Sequence, residues 1–433
     1  MKILFIVPYT PTLIRVRPYA LLRTLVRRGH SITLATLWQN EQERHALGTL
    51  EALGIEVIAQ PLSRVRSLWN CAWALPSQAP IQAAYCWQPH FAQQLRQLIH
   101  QRSFDLIHVE HLRGARYALH LQQGAASAGK TTPIIWDSVD CISHLFTQAA
   151  ERSRSRAGRL MTHLELARTR RYEGWLLRQF DQVLVTSASD REALLALAAR
   201  SCAATAKNAM RKGLREQDQR TDIGSVAVLP NGVDLDGFYQ TGARKAEKTL
   251  VFSGKMSYHA NVTAALYLVQ EIMPQVWASD PTVRVQLVGK DPPAQIRALA
   301  TGEASSHADQ VVVTGEVPDM QPYLSRATLA VAPLLYGAGI QNKVLEAMAC
   351  GTPVIASPHA SSGLQAKAGR DLLVAHNATD FAANILALLD NPTQRTQLAQ
   401  AGRAYVEQTH TWDAIGAQLE AIYDKACNCD SSR

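Results

Sequence analysis

The sequence predicts an α/β protein of two parallel-sheet domains. Three observations carry this. Strand-like and helix-like stretches alternate almost throughout. The alternation runs once through the first half and restarts after a turn-rich break near residue 230. The length of 433 residues is enough for two or three separate cores. Two successive alternating blocks imply two Rossmann-like domains.

The strands follow in order. In the first half, short β-branched runs lie at 2–7, 31–36, 56–59, 106–109, 133–136 and 182–186, with helical patterns such as 19–28 and 90–100 between them. In the second half, strands are expected at 249–252, 284–288, 311–314, 329–332 and 353–356, with helices at 262–278, 293–300, 320–326 and 343–350. Between the halves, VLPNGVDLDGF places Asn231-Gly232 and Asp236-Gly237 after a strand end, and TGARKAEK reads as an exposed linker. The expected domains are therefore 1–237 and 238–411, followed by an amphipathic helix at 412–426 that can pack back on the first domain and a polar tail at 427–433. The charged, poorly periodic stretch 203–224 reads as a loose helix or mobile insertion.

Composition limits the function classes. An apolar share of 47% and a charged share of 18% describe a soluble globular chain. No apolar run approaches the ~20 residues that span a bilayer. The start, MKILFIVPYT, is broken too early by Pro8 for a secretory leader. The seven cysteines lack metal-ligand spacing, apart from a Cys427/Cys429 pair without partner ligands, and suggest reduced thiols in a cytosol. No metal site is expected. The net charge of +8 suits nucleotide phosphates or an anionic lipid surface. Nucleic acid is not expected, because no helix-turn-helix, zinc-finger or aromatic RNA-binding signature appears.

The most informative stretch is GAGIQNKVLEAMACGTPVIAS, 337–357. An apolar strand leads into glycines, and a helical pattern then begins with Lys343 in its first turn. A cation there opposes the helix dipole unless an anion is bound. The free N–H groups of that turn suit the same anion. Glu346, three residues on, projects from the same face. A cation beside an acceptor-only carboxylate matches a phosphate next to sugar hydroxyls. The stretch therefore reads as a nucleotide-sugar site.

Read together, VLPNGVDLDGF, LVFSGKMSYHANVTA, VQLVGKDPP, VVVTGEVPDMQPYLSRATLAVAPL and KVLEAMACGTPVIAS resemble the retaining GT-B glycosyltransferases of family 4 (group 1). MKILFIVPYTPTLIRVRPY, LIHVEHLRGARYAL, WDSVDCIS and RTRRYEGWLLRQFDQVLVTSASD are similar to sugar transferases of bacterial exopolysaccharide and exosortase systems. The resemblance implies a hexosyltransferase with two Rossmann-like domains facing across a cleft. The donor would lie on the C-terminal domain and a carbohydrate or lipid-linked acceptor on the N-terminal one. No cofactor is implied beyond the nucleotide-sugar substrate. The implied location is cytoplasmic, with peripheral docking at the inner membrane face.

The resemblance also implies roles. Glu346 contacts the ribose and Lys343 the diphosphate. Ala338 stands where the family carries a donor-sugar glutamate. Gly339, Ile340 and Gln341 complete the donor loop. Gly254 lets the backbone approach phosphate, and Lys255 supplies a cation; the family's second basic residue is Ala260 here. Glu316 and Val317 cradle the base. Arg15 and Arg17, in the first strand-to-helix loop, suit donor phosphate or an anionic acceptor, or a solvated loop. Glu110 or His111 orients sugar or acceptor hydroxyls. Asp137 and Asp140 either accept the acceptor proton or cap a helix.

The segment LSRVRSLWNCAW, 62–73, is a basic, tryptophan-bearing helix that lies on a membrane or packs on its own domain. Arg168, Arg170, Arg171 and Arg178 form a second basic stretch, facing an anionic surface or pairing with Glu165 and Glu173. Competing readings are a dinucleotide oxidoreductase, a nucleotide-sugar epimerase and a non-catalytic scaffold. The first lacks the third glycine of its fingerprint, where Asn342 stands.

Overall fold

The computed structural model describes residues 1–12, 15–125, 132–152, 156–212, 224–241, 245–301, 307–337 and 339–430. They form two compact units, Met1–Pro230 with Ile415–Arg433, and Asn231–Ala414.

The first unit holds a seven-stranded sheet: β1 (Lys2–Val7), β2 (Ser31–Trp38), β3 (Glu56–Pro61), β4 (Leu106–Glu110), β5 (Ile134–Val139), β6 (Gln182–Val185) and β7 (Ser225–Val228). The order is β3-β2-β1-β4-β5-β6-β7. Every pairing is parallel, with Ile3 opposite both Ile32 and Leu106. Helices cover both faces, so the strands are apolar runs buried on both sides, as Ile3 to Val7 are. The sequence indicates only the end of β7, at VLPNG, and gives it no range. It is a four-residue run, SVAV, too short to show a period.

The second unit holds a six-stranded sheet: β8 (Thr249–Ser253), β9 (Arg284–Val288), β10 (Val311–Gly315), β11 (Leu329–Ala332), β12 (Val354–Ala356) and β13 (Leu373–Val374). The order is β10-β9-β8-β11-β12-β13, again with parallel pairings. The predicted helix at 262–278 is two helices, His259–Tyr267 and Met273–Ser279, joined by a π turn at Leu268–Ile272. Helices Ala378–Asp390 and Pro392–Thr409 close this unit. Each begins at an asparagine cap, Asn377 accepting from the Asp380 N–H and Asn391 from that of Gln394.

The division falls at Pro230, before the predicted Gly237, for a hydrogen-bonding reason. The His410 carbonyl accepts from the Val233 N–H at 2.8 Å, and His410 Nδ1 meets the Asn231 carbonyl at 2.7 Å. These bonds tie the NGVDLDGF turn to the second unit. The last helix, Trp412–Asp430, packs most of its length on the first unit, where Tyr423 is fully buried. Helix therefore extends through Cys427, where a polar tail was expected. Helix Ala188–Lys212 runs into the stretch read as loose or mobile; 213–223 lie outside the described residues.

Each sheet reverses its strand order once, between β1 and β4 and between β8 and β11. Ligands of such sheets bind beyond the carboxyl ends of the strands at that reversal. The residues that leave those ends are Pro8–Thr10 and Glu110–His111 in the first unit, and Gly254 and the loop before Lys343 in the second.

Candidate nucleotide-sugar site

In the second unit, helix Asn342–Ala349 starts after the glycine loop that follows β11. It has no acidic residue in its first turn and no side-chain cap. Its N-terminal N–H groups keep their positive end unopposed. Lys343 lies in that turn. Its Nζ donates to Asn261 Oδ1 at 2.5 Å and sits 4.8 Å from the centroid of the Phe252 ring. Burial lowers the ammonium to about 7, with the nearby Glu346 pulling the other way. Burial likewise raises Glu346 to about 7, opposed by Lys343. A bound anion would restore the charge that burial suppresses on Lys343.

Asn261 is the residue the sequence reading missed. It is buried, and its Nδ2 donates to the Lys255 carbonyl at 2.9 Å while its Oδ1 holds Lys343. The available signal was an asparagine directly before the expected helix at 262–278, shortly after SGK. Gly254, at φ +140°, passes so close that a Cβ there would lie 2.8 Å from Asn261 Nδ2 and 3.3 Å from Lys343 Nζ. Gly289 ends β9 at φ +148°, where a Cβ would meet the Gly254 carbonyl oxygen at 1.8 Å. Two glycines thus bring two strand ends together beneath the lysine.

Lys255 points elsewhere. Its Nζ lies 3.8 Å from Asp291 Oδ2, and both side chains are more than half exposed, at 52% and 56%. Glu316 is exposed, and Val317 packs against the core. Their loop adjoins the strand ends through Gly315, whose carbonyl accepts from the Gly289 N–H at 3.2 Å. Ile340 is buried in the core, which leaves only its backbone to the loop. Gly339 takes φ +66°. Gln341 immediately precedes the helix. Ala338 lies outside the described residues.

In the first unit, the strand ends hold a buried polar cluster. Tyr9 Oη donates to Glu110 Oε1 at 2.7 Å. Glu110 Oε2 is buried and has no hydrogen-bond partner among the described residues. Burial, with Asp137 adding to it, raises this carboxyl to about 8. His111 follows at φ +67°, an uncommon conformation for a non-glycine residue, and its Nδ1 accepts from the Arg113 N–H at 3.2 Å. Burial and then Arg113 lower it to about 3, so its ring is neutral. His108 stacks on Phe5, with centroids 4.1 Å apart, and its Nδ1 meets Tyr423 Oη at 2.9 Å.

Arg17 and Asp137 depart from the roles expected of them. Arg17 donates through Nε and Nη2 to Asp137 Oδ2 at 3.0 and 2.7 Å, and through Nη1 to the Leu229 carbonyl at 3.0 Å. Asp137 Oδ1 accepts from the Val139 N–H at 3.0 Å. The two side chains neutralise each other in the interior, because neither charge survives burial alone. Arg17 is therefore not a solvated loop arginine, and Asp137 presents no unpaired carboxylate oxygen. Arg15 is also engaged, donating to the Thr10 carbonyl at 3.0 Å and lying 3.2 Å from Glu43. Asp140 accepts from Thr186 Oγ1 at 3.0 Å and is raised by burial and by Asp190.

In the basic stretch at 168–178 the pairing with Glu165 forms and the one with Glu173 does not. Arg168 pairs with Glu165 at 3.2 Å. Glu173 is fully buried and accepts from the Ile142 and Ser143 N–H groups at 2.8 and 3.1 Å, capping helix Ile142–Arg152. It belongs to no solvated face.

Among the described residues, no group of three or more His, Cys, Asp and Glu is placed to hold a metal ion, and no helix is long and apolar enough to cross a membrane.

Two parallel α/β units, with a lysine and a glutamate presented at the start of a helix beyond the strand ends, define a GT-B class protein. Comparison with known proteins agrees. A family described as glycosyl transferases group 1 matches residues 247–391, and a glycosyl transferase 4-like domain matches 14–205. The chain belongs to the family 4, group 1 glycosyltransferases. It is 27% identical over 222 residues to the phosphatidyl-myo-inositol mannosyltransferase of Mycobacterium leprae, covering 49% of this chain and 57% of that protein. It is 32% identical over 160 residues to a GDP-mannose-dependent monoacylated alpha-(1-6)-phosphatidylinositol monomannoside mannosyltransferase of Corynebacterium glutamicum, covering 35% and 41%. The chain thus spans about half the length of the curated relatives it matches. In fold it is similar to the sucrose-phosphate synthase of Thermosynechococcus elongatus, at TM-score 0.66 and 18% identity over 98% of both chains. HepE of Anabaena, solved with UDP-glucose, aligns at TM-score 0.62 and 14% identity over 98% of this chain and all of that one.

Proposed function

We propose that this protein transfers a hexose, with retention, from a nucleoside-diphosphate sugar to a hydroxyl acceptor in cell-surface polysaccharide or glycolipid synthesis. One observation carries the reading: the Lys343 ammonium, held by Asn261 over Phe252 at a helix N-terminus, with Glu346 three residues on. In the reaction the bond from the anomeric carbon to the diphosphate breaks, and the electron pair leaves with phosphate. The acceptor oxygen forms the new bond to that carbon as its proton passes to the leaving diphosphate. Lys343 and the helix N–H groups are placed to hold the growing negative charge. Glu346 accepts from the ribose hydroxyls. Glu110, raised to about 8, is mostly protonated at neutral pH and so donates a hydrogen bond to a sugar or acceptor hydroxyl. Relatives named as mannosyltransferases, and a structural neighbour solved with UDP-glucose, support this donor class.

The test is a thermal-shift panel of UDP, GDP and ADP with their hexose conjugates, followed by assay for donor hydrolysis or transfer. A ligand that binds only the folded state at ~100 times its Kd stabilises by about 2.7 kcal/mol. The largest shift names the base, and turnover of the matching sugar names the donor. No shift from any diphosphate would reject the reading. Binding without turnover would leave a scaffold, and interconversion of donors without acceptor would reveal an epimerase.

A second reading has its own observation. Helix Arg64–Ala74 buries Ser67, Asn70 and Ala74 and leaves Leu68, Trp69 and Trp73 exposed at 69%, 60% and 72%. A helix serving only its own domain would bury the large apolar side chains. The inverted arrangement, with Arg64 and Arg66 alongside, fits docking on an anionic bilayer. A Trp69→Ala/Trp73→Ala variant is expected to lose cosedimentation with phosphatidylglycerol vesicles; unchanged cosedimentation would sink this reading.

A further inference from the structure

A roomy cavity lies in the first unit, and neither Glu110 nor His111 lines it. Its volume is about 820 Å³, within the ~300–1,000 Å³ range of small-molecule sites. Trp69 and Trp73 stand at its mouth on helix Arg64–Ala74. Trp87, Trp175, Tyr172 and Leu119 line it as well. Four tryptophans and a tyrosine thus give the wall broad aromatic faces, suited to an apolar chain.

Its charge is one-sided. Arg66 and Arg116 both line it, and no aspartate or glutamate does. Arg116 stacks on Trp87 with its guanidinium carbon 4.1 Å from the ring centroid. That stacking fixes the plane of the group and leaves its edge N–H donors free to meet an anion. Neither arginine makes an ion pair among the described residues. Polar Asn70 is spent internally, its Nδ2 donating to the Tyr85 and Trp87 carbonyls at 3.2 and 2.7 Å. That bond holds the exposed helix against the cavity floor.

An aromatic chamber with two unpaired guanidinium groups, opening beside exposed tryptophans, recognises an amphiphile rather than a sugar alone. We infer that this cavity holds a lipid phosphate, its hydrocarbon chain against the tryptophans and its phosphate on Arg66 and Arg116. The occupant is drawn from the membrane, because the mouth is the same apolar helix face that is exposed to the outside. Calling this lipid the anchor of the sugar acceptor rests on the transferase reading above; the binding itself does not.

The experiment titrates the full-length protein with dodecyl phosphate below its micelle concentration and follows tryptophan emission. Dodecanol, inorganic phosphate and dodecyltrimethylammonium serve as comparison ligands. Dodecyl phosphate is expected to shift the emission to shorter wavelength and to bind at least ten-fold tighter than any of the three. Arg66→Gln/Arg116→Gln should weaken it at least ten-fold, and Leu119→Trp, which pushes an indole into the cavity from its wall, should weaken it as well. The melting transition of the first unit in each variant reports that its fold is intact, and nucleoside diphosphate binding by the wild type judges the transferase reading separately. Equal binding of dodecanol, or wild-type affinity in both the arginine variant and Leu119→Trp, would overturn the inference. Binding of phosphatidylglycerol vesicles without binding of monomeric dodecyl phosphate would also overturn it, leaving a docking face and no lipid site.

Discussion

Replacing Lys343 should cost far more turnover than replacing Lys255, although both are lysines beside the glycine-lined strand ends. Lys343 is enclosed by Asn261 and Phe252, and its ammonium is pulled down to about 7 by burial. A hydrogen bond from such a group to a charged partner contributes roughly 1.5–3 kcal/mol. Removing one donor to a developing oxyanion typically costs about 2.7–4 kcal/mol, or ~10²–10³ in kcat. Lys255 is 52% exposed and 3.8 Å from Asp291. Such surface charges contribute about 0–1 kcal/mol, less than ~10-fold in rate. Lys343→Met, which keeps the aliphatic stem, should therefore lower kcat at least ~10²-fold, and Lys255→Met should stay within ~10-fold. Steady-state transfer with the donor named by the thermal-shift panel measures both. Calorimetry gives an independent readout. Diphosphate binding re-charges Lys343, so at pH 8 the wild type should take up a proton, seen as a dependence of the heat on buffer ionisation enthalpy. Lys343→Met should not. Equal, small losses in both variants, with no proton uptake, would refute the assignment of the phosphate to Lys343.

Other outcomes follow from the buried groups. Glu110 holds its proton to about 8 when folded but ionises near 4.5 when unfolded, so the unfolded state binds fewer protons between those values and stability falls as pH rises through that window. Glu110→Gln should remove this slope, and its Tm should gain on the wild type from pH 5 to pH 8 and then level off, the full difference corresponding to at most about 5 kcal/mol. Parallel Tm curves would contradict the burial assigned to this carboxyl. Asp137→Asn breaks the pair with Arg17 and should cost ~3–5 kcal/mol in a urea melt. A variant of unchanged stability but lost turnover would instead return Asp137 to the chemistry. Gly289→Ala forces a Cβ to 1.8 Å from the Gly254 carbonyl oxygen and should unfold the second unit, read by loss of diphosphate binding and of its melting transition.

The sequence alone determined the two alternating blocks and most of their strands, because apolar periodicity is local and each parallel strand must be buried on both faces. It also placed Lys343 and Glu346 together, since three residues along a helix is one face. Only the tertiary structure decided what those groups lean on. Asn261 reaches Lys343 from 82 residues away, and Arg17 meets Asp137 across 120. No local pattern encodes such pairs; they form where strand ends converge, and there Arg17 and Asp137, whose sequence readings included phosphate binding and proton acceptance among others, stand as a mutually neutralised pair. Burial likewise exists only in the fold, and it separated Glu110, kept protonated, from His111, kept neutral. The helix Arg64–Ala74 shows the same division. Its amphipathic composition was legible, but which face met the protein depended on the small residues Ser67 and Ala74 and on the Asn70 hydrogen bonds that only the assembled domain supplies.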